Sequence, residues 1–472
     1  MKKDIPFPPY LPDQSVNSGV SRVATNVYVA ADGYRPVGAL QTFSDALPAS
    51  FLGGASVKST DGTAFLLAGT ATDLYRFAAG AWTSLVTGLT VTDRWKFQQF
   101  GNFVVCVNGS VTRVVDLSAG TDSALATAPT GTSVALVGDF VVIGQADGDK
   151  LMIEWSAFND HTGWTAGTDQ SGFQPMLSGG EVMGLAGGEY GLIFQRNRIV
   201  RMTRTGDPDG AFQFDEITTN FGCASKASIV TEGRTTFWLS DRGFMAIEDG
   251  QALRSIGSEK VDRTFARSIP REDYERIWSA IDPVNKLVMW GVPGSNGTIW
   301  CYNWELDRWA TIEVPFNGLF SGFSSSLTLE EVSALYTDLD AMAFSLDDPR
   351  FSGGEPRLFA VSALDELATL SGDNLEAEFG IGFTEYVRGR LTRLINVRPV
   401  GDAVDGISIE IDARDRLGDA GRIITATSLR DSGTMPLRAN GRHMSITQKI
   451  AAGTAWKYAQ GVEIDFNAGG ER

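Results

Sequence analysis

Histidine and cysteine are both scarce in this chain, which limits the chemistry it can perform. Only two histidines, His161 and His443, stand among 472 residues. A Ser-His-Asp triad would need one of them as its base, but His161 lies in a turn and His443 at the start of a strand, so we predict structural roles for both. The three cysteines, Cys106, Cys223 and Cys301, are far apart and form no CxxC pair. We predict buried thiols rather than disulfides or a zinc site.

Long apolar runs are also missing. No run approaches the ~20 residues that a membrane helix needs, and Met1-Lys2-Lys3 leads into Asp4 rather than into the apolar core of a secretory signal. We therefore expect a protein that is made and folded in a cytosol and has no membrane-spanning segment.

The charge balance is acidic, with 57 Asp and Glu against 40 Lys and Arg and a formal net charge of -17. Affinity for duplex DNA depends largely on Lys and Arg that neutralise phosphates. The chain as a whole is therefore not expected to grip DNA, although an acidic surface would let DNA slide past it.

Sequence signatures of enzymes are missing too. The chain has no Walker loop, GxGxxG, GxSxG or HExxH motif. Paired carboxylates of a glycosidase cannot be singled out in so acidic a sequence. The best metal candidates, residues 147–149 and 207–210, are interpreted as ordinary turns because calcium needs more oxygen ligands than they offer. We predict no catalytic residue, no cofactor-binding residue and no metal ligand, and hence no enzyme.

What the sequence does have is a recurring β pattern. Short apolar segments rich in Val, Ile, Phe and Trp, each followed by a turn and another strand, begin mostly about 40 to 50 residues apart. This spacing suits one four-stranded propeller blade per repeat. We predict a β-propeller-like core at 49–371, without a blade count, from segments at 64–68, 103–107, 140–144, 192–194, 237–239, 287–290 and 358–361.

Three other regions differ from this pattern. Residues 1–48 form an extended N-terminal arm with the first strands, because the prolines at 7–13 block a helix. Residues 327–345 have helical spacing and an N-cap signal, which predicts a helical insertion, and a second short helix is expected at 259–266. Strict alternation at 375–379, 407–411 and 462–466 predicts a C-terminal β-sandwich-like domain at 372–472. The predicted fold class is mostly β with few short helices.

Several phrases of the sequence are distinctive when taken together. They are Pro9-Tyr10-Leu11-Pro12-Asp13-Gln14, Asn26-Val27-Tyr28, Asp32-Gly33-Tyr34-Arg35-Pro36, Trp155-Ser156-Ala157-Phe158-Asn159-Asp160 with Trp164, Asp241-Arg242-Gly243-Phe244, Ile256 to Asp262, Asp282-Pro283, Tyr302-Asn303-Trp304 with Arg308-Trp309, and Ala452 to Trp456 with Gly461-Val462. In this order they resemble the packaged-DNA stabilisation proteins of podoviruses, also called tail tubular protein B, tail hub or nozzle.

This resemblance implies a virion protein with a propeller-like core that assembles in the host cytoplasm into a ring of six copies. The ring would continue the DNA channel beneath the head-to-tail adaptor, retain packaged double-stranded DNA, and support tail fibres or spikes. The family has no catalytic residues to transfer. The alternatives are a β-propeller carbohydrate-active tail enzyme, such as a depolymerase or glycosidase, and a host propeller scaffold, which the missing WD-type signature disfavours.

Overall fold

Antiparallel strands pair in groups of four along most of the chain. The computed structural model describes residues 1–60, 62–78, 81–207, 210–294, 297–323 and 356–469. Within them the protein is mostly β, and the four-stranded sheets confirm the predicted propeller-like core. The helical insertion predicted at 327–345 lies outside the described residues.

Seven blades of four strands are found in the described part of the chain; six of them are separate four-stranded sheets, and the sixth in chain order is part of a nine-stranded sheet. The first five strands of the chain are β1 (Lys2–Pro6), β2 (Ala24–Thr25), β3 (Val27–Ala30), β4 (Gly33–Pro36) and β5 (Gly38–Ala46). The first three blades are β6 (Gly53–Lys58), β7 (Ala64–Gly69), β8 (Leu74–Ala78) and β9 (Ala81–Val86); β10 (Lys96–Phe100), β11 (Phe103–Val107), β12 (Thr112–Asp116) and β13 (Thr121–Ala124); and β14 (Ser133–Val137), β15 (Phe140–Gly144), β16 (Met152–Trp155) and β17 (Gly172–Pro175).

The remaining blades have the same order of strands from the inside of the ring outwards. They are β18 (Val182–Ala186), β19 (Gly191–Gln195), β20 (Ile199–Asp207) and β21 (Gly210–Thr218); β22 (Val230–Glu232), β23 (Thr235–Ser240), β24 (Gly243–Glu248) and β25 (Ala252–Ser255); β26 (Trp278–Asp282), β27 (Leu287–Gly291), β28 (Thr298–Asn303) and β29 (Arg308–Glu313); and β30 (Phe316–Phe323), β31 (Pro356–Ser362) and β32 (Glu366–Asn374), completed by β5.

Each of the seven predicted apolar segments is the second strand of one blade. Such a strand is buried on both sides because a neighbouring blade covers each face. In β15, Val141 packs with Val105 of the second blade, whereas Phe140 and Val142 pack with Ile193 of the fourth. A continuous apolar run therefore forms a strand with no wet face, and each large side chain buried there contributes roughly 1.5–3 kcal/mol.

The ring of blades is closed by a strand from the N-terminal segment. Strand β5 is the outer strand of the seventh blade and pairs with β32, with Ala46 opposite Glu366 and Gly38 opposite Asn374. On the inner side, β30 of the seventh blade packs against β6 of the first. The end of the propeller is therefore joined to its beginning by hydrogen bonds between distant parts of the sequence.

The sandwich predicted at the C-terminus consists of two sheets. Its strands after the propeller are β33 (Ala377–Thr384), β34 (Thr392–Gly401), β35 (Ile407–Arg414), β36 (Arg422–Ala426), β37 (Met435–Gly441), β38 (His443–Ile450) and β39 (Ala459–Ala468). One sheet has the order β3-β4-β39-β34-β37, with β1 also paired to β39, and the other has the order β2-β33-β38-β35-β36. Strands β35 and β38 alternate buried and partly exposed residues, as their sequences predict.

The segment 1–48 belongs to both units. Strands β1 to β4 join the two sheets of the sandwich, and β5 joins the seventh blade. We expected the Pro-rich residues to lie along another surface, and we find that this surface is the chain's own sandwich, where Phe7 is buried against Phe379. Strand β2 also pairs with β29 through Thr25 and Thr311, so the sixth blade continues into the sandwich.

Helical structure in the described residues is brief. It comprises α1 (Asp262–Ser268) and three turns of 3-10 helix at Ala146–Gly148, Lys226–Ser228 and Arg271–Arg276. The helix expected at 259–266 is therefore present and begins three residues later. No helix of the described residues is long and apolar enough to cross a membrane.

Candidate functional site

The segments that carry the resemblance are far apart in sequence, but most of them meet in one hydrophobic core. Tyr10, Phe244, Trp309 and Trp456 all belong to this core, which joins the fifth and sixth blades to the sandwich. We call it the junction. The phrase from Trp155 to Trp164 lies outside it, in the third blade.

Aromatic rings fill the propeller side of the junction. The ring centroid of Phe244 lies 4.7 Å from that of Trp290 and 5.0 Å from that of Trp309. Both tryptophans are fully buried, and each indole N–H donates to a backbone carbonyl, of Ser228 and of Ile256 respectively, at 2.9 Å. The large apolar surfaces of these two tryptophans hold the blades together while their own N–H groups remain hydrogen-bonded.

A polar contact ties the N-terminal segment to this core. The carboxylate of Asp13 accepts hydrogen bonds from the Arg263 backbone N–H at 2.7 Å, the Thr264 backbone N–H at 2.9 Å and the Thr264 hydroxyl at 2.7 Å. The first N–H groups of a helix have no partner within the helix. Asp13 therefore caps α1 from a position about 250 residues away in sequence.

Asp262, the first residue of α1, is held in a tight pocket. Its carboxylate accepts the Phe244 backbone N–H at 3.0 Å. A Cβ atom built on Gly243 or Gly257 would lie about 2 Å from this carboxylate, so both positions require glycine. Burial, together with the charge of Asp13, raises the pKa of Asp262 to about 6, although the hydrogen bond from Phe244 opposes the shift.

Both histidines make contacts within the fold. The His161 ring stacks on Phe103 at a centroid distance of 4.4 Å, and burial lowers its pKa. The His443 Nε2 lies 3.5 Å from a carboxylate oxygen of Glu385, at the beginning of β38. In the described structure each histidine contacts residues of its own unit, and the structural roles assigned to them from the sequence stay predictions.

The carboxylates of the first metal candidate, residues 147–149, bind backbone N–H groups. Asp147 and Asp149 accept the backbone N–H groups of Thr130 and Leu151, at 3.0 and 2.9 Å, as turn residues do. Part of 207–210 lies outside the described residues. Within the described ranges no group of three or more His, Cys, Asp or Glu side chains could hold a metal ion.

Sequence analysis missed a group of charged residues at the centre of the propeller. The run Asp93-Arg94-Trp95-Lys96 leads into the inner strand of the second blade, and Lys96 lines a cavity on the propeller axis. Three of these four residues are charged, at the start of an inner strand where the other blades have mostly apolar or small residues. This local density of charge is the sequence signal that could have identified the group.

Comparisons with known proteins add little to this picture. No family model and no curated protein matches the chain. Among solved structures, the extracellular domain of a hybrid two-component system from B. thetaiotaomicron is 9% identical with a TM-score of 0.41, covering 84% of this chain and 47% of its own. This chain therefore spans about half the length of that structure.

Two smaller structures also match. A chain of a mitotic checkpoint complex is 11% identical with a TM-score of 0.41, covering 72% of this chain and 93% of its own. Kluyvelomyces marxianus Hsv2 is 10% identical with a TM-score of 0.30, covering 56% of this chain and 96% of its own. Likeness at this level carries no argument about function.

Proposed function

We propose that this chain is a structural subunit of a short-tailed phage tail, a nozzle or hub protein that assembles into a ring of six copies. The observation that carries the proposal is the convergence at the junction. Phrases of sequence that resemble the podovirus family, separated by up to about 450 residues, supply side chains to one core. Matching segments whose side chains share one core support the resemblance more strongly than the same number of segments scattered over the structure.

In this proposal the DNA channel lies between subunits and not through the propeller. The cavity on the propeller axis measures about 280 Å³ and is too small for a duplex. The wall of the channel would therefore consist of surfaces from several copies, as closed cyclic assemblies provide. A net charge of -17 per copy suits a wall that passes DNA without binding it.

The proposed partners follow from the same assignment. The ring would bind the head-to-tail adaptor on one face, retain packaged double-stranded DNA, and support tail fibres or spikes on its outer side, in a virion tail assembled in the host cytoplasm. No enzymatic activity is proposed. Deletion of the N-terminal fifteen residues would not test these contacts selectively, because β1 and Asp13 stabilise the subunit's own fold.

The experiment that tests the proposal measures mass and symmetry. Purified protein is examined by light scattering and by negative-stain imaging, alone and after addition of the adaptor, at low and at high salt. We expect a closed ring with a central hole. Subunits of like charge repel one another less at high salt, so the ring should be the more abundant species there.

Two outcomes would overturn the proposal. A protein that stays monomeric in every condition, with and without the adaptor, is not a ring subunit. Release of sugar from a capsular polysaccharide by the purified chain would favour the carbohydrate-active alternative. A protein with its junction core disrupted, Trp309→Ala, serves as the unfolded-subunit control for both measurements.

A further inference from the structure

The inner strands of the propeller enclose an axial cavity of about 280 Å³. Its lining comes from β6, β10, β22, β26 and β30, the inner strands of five of the blades, so it lies within the ring and not between two adjacent blades. Gly53 and Gly54 stand on one side, where small residues leave room. The lining is mixed, with the aromatic residues Trp95 and Trp278 beside Lys96 and the hydroxyls of Ser279 and Ser321.

One charged side chain lines this cavity. Lys96 is the first residue of β10, and in the described part of the chain its Nζ has no hydrogen bond and no ion pair. Protein surrounds most of the Lys96 side chain, which is partly exposed. Burial, together with the nearby charges of Arg94 and Lys226, lowers the pKa of Lys96 to about 8, and the charge of Asp93 opposes this shift.

Two more cations stand beside Lys96. The Arg94 guanidinium lies 4.1 Å from the centroid of the Trp278 ring and donates to the Ile277 carbonyl, and burial lowers its pKa to about 10. The Lys226 ammonium donates to the Asp93 carboxylate at 2.6 Å. Of the other nearby charges, Glu275 raises the pKa of Arg94 and Arg276 lowers it.

The charges of this cluster do not cancel. Of the three cations, only Lys226 has an ion pair, with Asp93. Lys96 and Arg94 have none among the described residues, and Glu275 acts on Arg94 without forming an ion pair. This occurs in a chain whose net charge is -17. A partly desolvated charge without a counter-charge is costly, and such costs are concentrated at functional sites.

We propose that the axial cavity binds a divalent oxyanion of the sulfate or phosphate class, held directly by the Lys96 ammonium in the field of Arg94 and Lys226. Lys96 offers three donors and no competing acceptor. The nearby hydroxyls of Ser279 and Ser321 already donate to the Ala227 and Ile281 carbonyls. The two uncompensated charges match a divalent anion better than chloride.

The size of the cavity restricts the source of the anion. A volume of about 280 Å³ is at the lower end of ligand pockets, which suits a free ion or a small phosphate monoester and excludes the backbone of a duplex. The bound ion would link the second blade to the fifth across the axis. The inference is independent of ring assembly, because every residue involved belongs to one copy.

The test uses the full chain and sulfate, whose charge does not change between pH 7 and 9.5. Calorimetric titration and thermal melting compare sodium sulfate with sodium chloride at equal ionic strength. We expect saturable binding and a higher Tm with sulfate only. If Lys96 must be protonated to bind, a pKa of about 8 gives a roughly 30-fold weaker affinity at pH 9.5 than at pH 7.

Three variants make the test specific to the site. Lys96→Met keeps the length of the side chain and removes its charge; we expect at least a tenfold loss of sulfate affinity, no remaining pH dependence, and a higher Tm than wild type without sulfate. Asp93→Asn raises the positive charge of the cluster and should bind several-fold more tightly. Lys3→Met, at an exposed position of β1, is the matched control and should bind as wild type does.

The results that would overturn the proposal are distinct. Equal Tm values in sulfate and chloride would refute it, as would unchanged sulfate binding by Lys96→Met. Inorganic phosphate should compete with sulfate, whereas a short DNA duplex should not; competition by the duplex alone would place the binding on an outer surface and refute the axial site. A monomeric protein that binds sulfate would leave this proposal standing and count only against the ring.

Discussion

The carboxyl group of Asp262 provides a test of the junction that depends on pH. Its pKa of about 6 lies above the value of about 3.9 expected in the unfolded chain. The folded state therefore loses stability as pH rises from about 4 to about 6, because the carboxylate must ionise where burial disfavours its charge. Above pH 6 the loss is complete, and below pH 4 it is absent.

The substitution Asp262→Asn removes this charge and keeps an oxygen that can accept the Phe244 N–H. Linkage gives the size of the effect. The difference in unfolding free energy between the variant and wild type should increase in favour of the variant by about 2 kcal/mol between pH 4.5 and pH 7.5. Any cost of fitting the amide beside Gly243 and Gly257 is the same at each pH and does not alter this change.

The assay is urea unfolding followed by tryptophan fluorescence at four values of pH between 4.5 and 7.5. Trp290 and Trp309 lie in the same core as Asp262 and its partner Phe244, so their emission reports on the junction. Asp431→Asn, at an exposed aspartate, is the control and should show no trend with pH. A flat difference between Asp262→Asn and wild type would refute the reasoning, since the carboxyl would then ionise equally well in both states.

Two further substitutions test the contacts made by the N-terminal segment. Asp13→Ala removes the cap of α1 and should lower the free energy of unfolding by about 1–2 kcal/mol, measured by urea unfolding, whereas Asp4→Ala in β1 should have little effect; equal losses in the two variants would contradict the capping role. Phe43→Ala removes a β5 ring that contacts Phe77 of the first blade and Phe359 of the seventh. This substitution should lower the free energy of unfolding by roughly 1–3 kcal/mol and speed proteolysis between β5 and β6. Phe173→Ala, at an exposed position, is the control, and identical behaviour of the two variants would contradict a role of Phe43 in closing the ring.

The pattern of apolar and polar residues within a segment predicted the strands whose burial it reflects. The segment 140–144 is apolar without interruption because a blade covers each of its faces. The segment 407–411 alternates because only one of its faces is buried. All seven propeller segments were present in the sequence, although no blade count was drawn from them.

Contacts between distant parts of the chain cannot be recognised from the sequence of either partner alone. Nothing within 38–46 identifies it as the partner of 366–374, because an outer strand with mixed burial can pair with many others. The start of α1 was predicted three residues early because its capping group, Asp13, is not a neighbour in sequence. The cluster at Lys96 was missed for the same reason, since Lys226 joins it from another blade.

The use of the N-terminal segment in both units has a consequence for how the protein is made. Strand β5 cannot pair until β32 has been synthesised, more than 300 residues later. Strand β1 cannot pair until β39 has been synthesised, more than 450 residues later. At synthesis rates of roughly 5–20 residues per second, the first strands stay unpaired for tens of seconds while the first six blades can already form. The seventh blade is therefore completed only after β32 has been made and the sandwich only after β39 has been made, and a nascent chain interrupted before β32 has an open ring.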